Sequence, residues 1–170
     1  MSRGSRFPKG IEGVVLSPRD PCILLIASEE DRLWASGEAR RFASELGFSP
    51  DDQARIAVCV AELASNAAKH GGGGRVEIAE VILPAHGCRV RASDHGPGIN
   101  VVAEALSDGF SEGRWLTGDV PWSERRGLGV GLGAVHRLMN DVRVLSSPNE
   151  GLVIEAVLWR KPSRPSARRR

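Results

Sequence analysis

The chain has 170 residues, 41% hydrophobic and 26% charged, the proportions of one soluble domain with its own core. No apolar h-region opens it and no run approaches the roughly 18 apolar residues of a membrane span, so neither export nor insertion is expected and the cytoplasm is the expected compartment. Arg160, Lys161, Arg164, Arg168, Arg169 and Arg170 supply six cations without an acid, so residues 1–159 carry −4 within a total of +2, and a nucleic-acid role is not expected.

Residues 1–21 predict a flexible arm in which Ile11 to Leu16 can add an edge strand. Cys22 to Ala27 is a continuous apolar run, the pattern of a buried strand. Ser28 and Asp31 stand at capping-box spacing, and Ala35, Ala39, Phe42, Ala43 and Leu46 then keep helical spacing until Gly47. Ser49-Pro50-Asp51-Asp52 joins a side-chain cap, a proline at the first helical position and acids in the first turn, so a second helix starts there. Its apolar stripe is Ile56, Cys59, Val60, Leu63 and Ala67. Gly71 to Gly74 end it, and Val76 to Leu83 and Cys88 to Asp94 predict two strands joined by Pro84 to Gly87. Val101 to Leu106 fits one or two helical turns, whereas residues 107–126 lose all periodicity and predict a mobile loop in which Trp115 and Trp122 dock on this domain or on a partner. Leu132, Val135, Leu138 and Met139 mark a further core helix. Val142 to Leu145 and Leu152 to Trp159 predict a hairpin around Pro148 to Gly151. The sum is a mixed or antiparallel sheet with helices on one face. Cys22, Cys59 and Cys88 are an odd, scattered set without C-x-x-C, which excludes a disulfide framework and a zinc site and leaves them as small core residues.

Three features carry chemistry. Glu62, Asn66 and His70, four residues apart, line up beside the apolar stripe, as solvated side chains or as a site. Asp94 falls on the buried parity with Cys88, Val90 and Ala92, against Arg89, Arg91 and Ser93; a buried carboxylate needs donors, from the turn Asp94-His95-Gly96-Pro97-Gly98 or from a ligand. Gly127-Leu128-Gly129-Val130-Gly131-Leu132-Gly133 can turn backbone N–H groups toward a phosphate or can be a plain turn. It lacks the Lys-Ser/Thr of a P-loop and the spacing G-x-G-x-x-G.

Taken together, Glu62-Leu63-Ala64-Ser65-Asn66, Asp94-His95-Gly96-Pro97-Gly98-Ile99 and Gly127 to Leu132 before Val135-His136-Arg137-Leu138-Met139 resemble the N, G1 and G2 boxes of the GHKL ATP-binding superfamily. With Gly72-Gly73-Gly74 and Ser107-Asp108-Gly109-Phe110-Ser111, the chain looks most like the anti-sigma-factor serine/threonine kinases of the RsbT/RsbW type. The resemblance implies a Bergerat-type α/β (α+β) two-layer sandwich, with a mixed, mostly antiparallel sheet and helices on one face. It spans a domain at 22–160 with an ATP lid at 107–126, between the arm of 1–21 and a disordered basic tail of 161–170. It further implies ATP and Mg2+: Asn66 as magnesium ligand, Asp94 accepting from the adenine amino group, and Gly96 and Gly98 leaving room for the base. Gly127, Leu128, Gly129, Val130, Gly131, Leu132 and Gly133 become the phosphate edge, and Glu62 the general base that deprotonates a serine hydroxyl. Lys69 and His70 are candidates to assist near the phosphates. The stretch Arg114 to Arg126 is longer than the lid of compact relatives, and Gly133-Ala134 stands where many relatives have proline.

The function expected is an ATP-dependent protein-serine kinase acting on a STAS-domain antagonist in a partner-switching, stress-response circuit. A sigma factor, a PP2C-type phosphatase and a second copy of the chain are further candidate partners. The competing reading is a nucleotide-dependent module that sequesters its partner without transfer; a detached histidine-kinase catalytic domain ranks last.

Overall fold

The computed structural model describes residues 11–98, 110, 111, 114, 115, 131–147 and 151–161. Six strands form one sheet in the order β1 (Val15–Leu16), β3 (Gly74–Leu83), β4 (Gly87–Asp94), β8 (Gly151–Trp159), β7 (Asp141–Ser147), with β2 (Cys22–Ile26) pairing the same edge of β3 further along. Every pairing among the described strands is antiparallel. Three helices, α1 (Asp31–Glu45), α2 (Pro50–Gly71) and α3 (Gly131–Leu138), complete the described fold. The two-layer sandwich expected from the sequence is the architecture observed.

The helices form as their sequences dictate. Asp31 reaches back so that its carboxylate accepts from the N–H groups of Ala27 (2.8 Å) and Ser28 (2.9 Å), half of the expected capping box. The other half is not made: the Asp31 N–H goes to the Ser28 backbone carbonyl at 3.3 Å, as in a turn, and not to the Ser28 hydroxyl. The Ser49 hydroxyl accepts the Asp52 N–H at 3.2 Å and Pro50 starts α2, while Gly72 closes it in the left-handed region at φ 68°. Ala35, Ala39, Phe42, Ala43 and Leu46 of the first helix are all buried, and so are Ile56, Cys59, Val60, Leu63 and Ala67 of the second. Val76, Ile78, Val90, Ala92, Ile154, Ala156 and Leu158 meet them from the sheet, with Leu132, Val135 and Met139 closing the core beside α2. Burying each large aliphatic side chain is worth about 1.5–3 kcal/mol.

Two expectations need correction. Cys22–Ile26 is not buried on both faces: Leu24 and Ile26 enter the core, but Ile23 and Leu25 are exposed at 48% and 72%. A continuous apolar run cannot distinguish a central strand from this edge strand, which pairs with β3 alone. Within 107–126, Phe110–Ser111 (β5) and Arg114–Trp115 (β6) pair as a two-stranded ladder, where no regular element was expected. The rest of the expected lid at 107–126 with its Trp122, Val101 to Leu106, the first ten residues and the tail from 162 lie outside the described residues, as do Gly127, Leu128, Gly129 and Val130 of the glycine run. Cys59 and Cys88 are core residues, Cys22 is half-buried, and all three are free thiols. Burial pushes the Cys88 thiol up to about 12 and raises that of Cys59 further, so neither is a nucleophile near neutrality.

The sheet face opposite the helices is not plain surface. Register places Ile23, Glu77, Arg91, Glu155 and Arg143 in one row across five strands. Glu155 is only 2% exposed, and its carboxylate meets Arg89 at 3.3 Å, Arg91 at 3.9 Å and the Ile11 N–H at 2.7 Å. The segment from Ile11 to Leu16 thus crosses this face and, with Arg89 and Glu155, borders a cavity of about 410 Å³. No described helix is long and apolar enough to cross a membrane.

Candidate active site

Because Ile56, Cys59, Val60, Leu63 and Ala67 are pinned in the core, the positions between them must face the rim, and Glu62 and Asn66 follow one turn apart. Both are half-buried. Burial raises the Glu62 carboxyl above its ordinary range, and the nearby charges of Lys69 and Arg32 oppose that rise. Lys69 forms an ion pair with Glu29 at 2.9 Å, which ties the end of α2 to the entrance of α1. Asn66 makes no side-chain hydrogen bond among the described residues, so its amide is open to a ligand. His70 is exposed in the last turn.

The end of α2 runs into Asp94. Register pairs Asp94 with Gly74 on one side and Leu152 on the other, and the side chain is 8% exposed. The Gly96 N–H donates to its Oδ1 at 2.9 Å. Burial raises its carboxyl, while the N–H groups of Gly96 and Leu152 pull the other way. Glycine is required around it. A Cβ on Gly71 would lie 2.4 Å from the Asp94 Cβ, and one on Gly96 would lie 2.5 Å from the His70 carbonyl oxygen. Gly151 sits at φ 100°, where a Cβ would lie 2.2 Å from the Asp94 carbonyl oxygen. Helix, strand and hairpin therefore close on one carboxylate, which the β4 parity had placed on the buried side.

A family pattern described as "Histidine kinase-like ATPase domain" matches residues 29–158. The chain belongs to the histidine-kinase-like (GHKL) ATPase family. Within it, the chain is 36% identical over 141 residues to the serine/threonine-protein kinase RsbT of Bacillus subtilis (strain 168), covering 82% of this chain and 97% of that one. It is 29% identical over 135 residues to an anti-sigma F factor of Anoxybacillus flavithermus (strain DSM 21510 / WK1), covering 77% and 86%. Among solved structures it is similar to a mycobacterial sensor histidine kinase, MprB, at 20% identity and TM-score 0.46, covering 84% and 98%.

The donor set of the chain fits a nucleotide and its magnesium ion. Asp94 is a buried carboxylate on which the chain's own backbone closes tightly, and Asn66 offers a hard oxygen without a competing partner among the described residues. Among the described residues no three His, Cys, Asp or Glu side chains gather to hold a metal, so Asn66 and phosphate oxygens would supply the ligands. Of the glycine run, Gly131, Leu132 and Gly133 are described: they open α3, with Leu132 and Gly133 buried against the core. The helix they open, α3, packs on α2, the helix that carries Asn66. Gly98 lies in the left-handed region at φ 76°.

Sequence reading missed the contribution of α1. Arg32 and Glu29 flank the Glu62 end of α2 by virtue of the helix hairpin, and the only sequence signal was the short connection from Gly47 to Ser49. It also missed Gly71 and Gly151 as walls of the Asp94 pocket, since each had a sufficient role as a helix end or a turn.

Proposed function

We propose that the chain is an ATP-dependent protein-serine kinase whose substrate is a STAS-domain antagonist in a partner-switching circuit. The observation that carries this is Glu62: a half-buried carboxylate, raised by burial, one helical turn from the free amide of Asn66. Simple nucleotide binding has no use for a base at that place. The 36% identity to a serine/threonine-protein kinase over nearly its whole length supports the same reading.

In this mechanism Asp94 accepts a hydrogen bond from the adenine amino group, discriminating against guanine, whose carbonyl has no proton to give. Asn66 holds the magnesium ion, which neutralises phosphate charge when bound. Gly131 to Gly133, with Gly127 to Val130 before them, present N–H groups to the phosphates. Glu62 takes the proton of the incoming serine hydroxyl while its Oγ bonds to the γ-phosphorus and the bond to ADP breaks. A raised carboxyl is a better match to that proton than an ordinary one, provided it is ionised at the working pH. Radiolabel transfer from Mg-ATP to purified STAS-domain proteins tests the reading. If a STAS protein binds tightly yet never acquires label, the protein is a sequestering module, the alternative that similarity to an anti-sigma F factor favours.

A further inference from the structure

The segment around β1 is fastened to the sheet at both ends, and a cavity opens beneath it. The Ile11 N–H donates to the Glu155 carboxylate at 2.7 Å, and the Ser17 N–H donates to the Glu80 carbonyl at 2.9 Å. Between these anchors the Val14 N–H turns back to the Ile11 carbonyl at 3.4 Å. Gly13 makes that turn in the left-handed region at φ 78°, where a Cβ would meet nothing within 4 Å. The space bridged in this way is the cavity of about 410 Å³. Its size falls in the range of roughly 300–1,000 Å³ in which proteins hold small molecules. Ile11, Val14 and Leu16 give it apolar lining, and Glu12, Arg89 and Glu155 give it polar lining.

One donor of that lining is unspent. The Arg89 guanidinium pairs with Glu77 and, at 3.3 Å, with Glu155, yet its Nε is buried and has no hydrogen-bond partner among the described residues. A buried donor without a partner is costly, and one kept by a residue that lines an open cavity points to an acceptor that the cavity admits. We propose that this cavity is a binding site for a small, uncharged, mainly apolar molecule with one carbonyl oxygen, which accepts from Arg89 Nε. Glu12 and Glu155 on the lining repel an anion, and an ammonium group has no acceptor to offer Nε. The site is separate from that of the nucleotide. Arg89 and Asp94, an odd number of positions apart, stand on opposite faces of β4 and roughly 17 Å from each other along the strand. It therefore stands whether or not the chain transfers phosphate.

The test titrates the full chain with indanone, a bicyclic apolar body carrying one carbonyl, and follows nitrogen–proton NMR resonances. The amide signals of Ile11, Gly13 and Val14 and the Nε–H signal of Arg89 shift together and saturably. Indane, the same body without oxygen, binds about tenfold more weakly and leaves the Nε–H signal in place, and indane carboxylate does not compete. Arg89→Lys, which keeps the charge and removes Nε, weakens indanone about tenfold and leaves ATP affinity within about twofold. Should that variant fail to fold, Val14→Trp fills the cavity from the bridging segment and abolishes the indanone shifts while Arg89 keeps its ion pairs. No saturable shift at these residues in the wild type overturns the site. Equal affinity for indane and indanone, or tighter binding of the carboxylate, overturns the assigned ligand class. Cross-relaxation between Arg89 Nε–H and residues 1–10 that indanone cannot displace also overturns it, because the chain itself then fills the cavity.

Discussion

Around Asp94 the chain leaves no spare volume: three glycines stand where any side chain would collide with the carboxylate, its carbonyl or the adjoining helix end. Around Glu62, nine residues before Gly71 on α2 and roughly 13 Å from it by helical rise, side chains are half-buried or open, and among the described residues the charges of Arg32, Lys69 and Glu29 set the surroundings. On the kinase reading proposed above, the Asp94 end would accept only a flat, correctly polarised base, and the Glu62 end would set the electrostatics of a proton transfer to and from a second macromolecule. Errors at the first should therefore cost folding and affinity together, and errors at the second should cost rate alone.

The largest separation between the two ends comes from Glu62→Gln, which retains shape and removes the base. Phosphoryl transfer should fall by about 10²–10⁴-fold with ATP affinity nearly unchanged, read by radiolabel transfer beside calorimetry. A proportional loss of ATP binding would show that Glu62 belongs to the nucleotide pocket instead. Next is Gly151→Ala, which adds a Cβ against the Asp94 carbonyl at a backbone angle alanine resists; about 3 kcal/mol of stability should be lost in urea unfolding. Asp94→Asn keeps the Gly96 hydrogen bond but offers the adenine amino group a weaker, misorientable acceptor, and should weaken ATP by about 10-fold or more, roughly 1.5–3 kcal/mol. Equal loss of GTP binding would contradict a role in base choice.

The smallest effect is a sign. Burial raises the Glu62 carboxyl, so the native state binds its proton more tightly than the unfolded chain does, and this contribution to stability falls as pH rises from the ordinary glutamate range through the raised value. Glu62→Gln should consequently raise the urea midpoint at pH 7 and not at pH 4. For catalysis, the acid limb of the rate profile should lie above the ordinary carboxylate range. Arg32→Ala removes one of the charges opposing the rise and should move that limb to higher pH.

Much of this was legible in the chain. The helix starts at Asp31 and Pro50 announced themselves through Asp31 and Ser49, whose side chains satisfy backbone donors locally. Glu62, Asn66 and Asp94 were visible because period and parity are local properties: α2 could not bury Leu63 and Ala67 without turning Glu62 and Asn66 to the rim. What depends on distant neighbours was not legible. Exposure of Leu25 is decided by what covers the face of the sheet opposite the core over β2, and the burial of Glu155 by Ile11 on one segment and Arg89 and Arg91 of β4 on another. The proximity of Arg32 to Glu62 likewise comes from the packing of two helices, which no spacing within either can encode.

The hydrogen bond from Ile11 to Glu155 spans 144 positions of sequence. A carboxylate this deeply covered is costly to strip of water until Arg89, Arg91 and the Ile11 N–H are all in place. During synthesis, at about 5–20 residues per second, the opening segment must wait on the order of ten seconds for the strand that anchors it. A segment made 144 residues before its anchor is therefore fastened late, and through that interval the outer row of charges stays open to water.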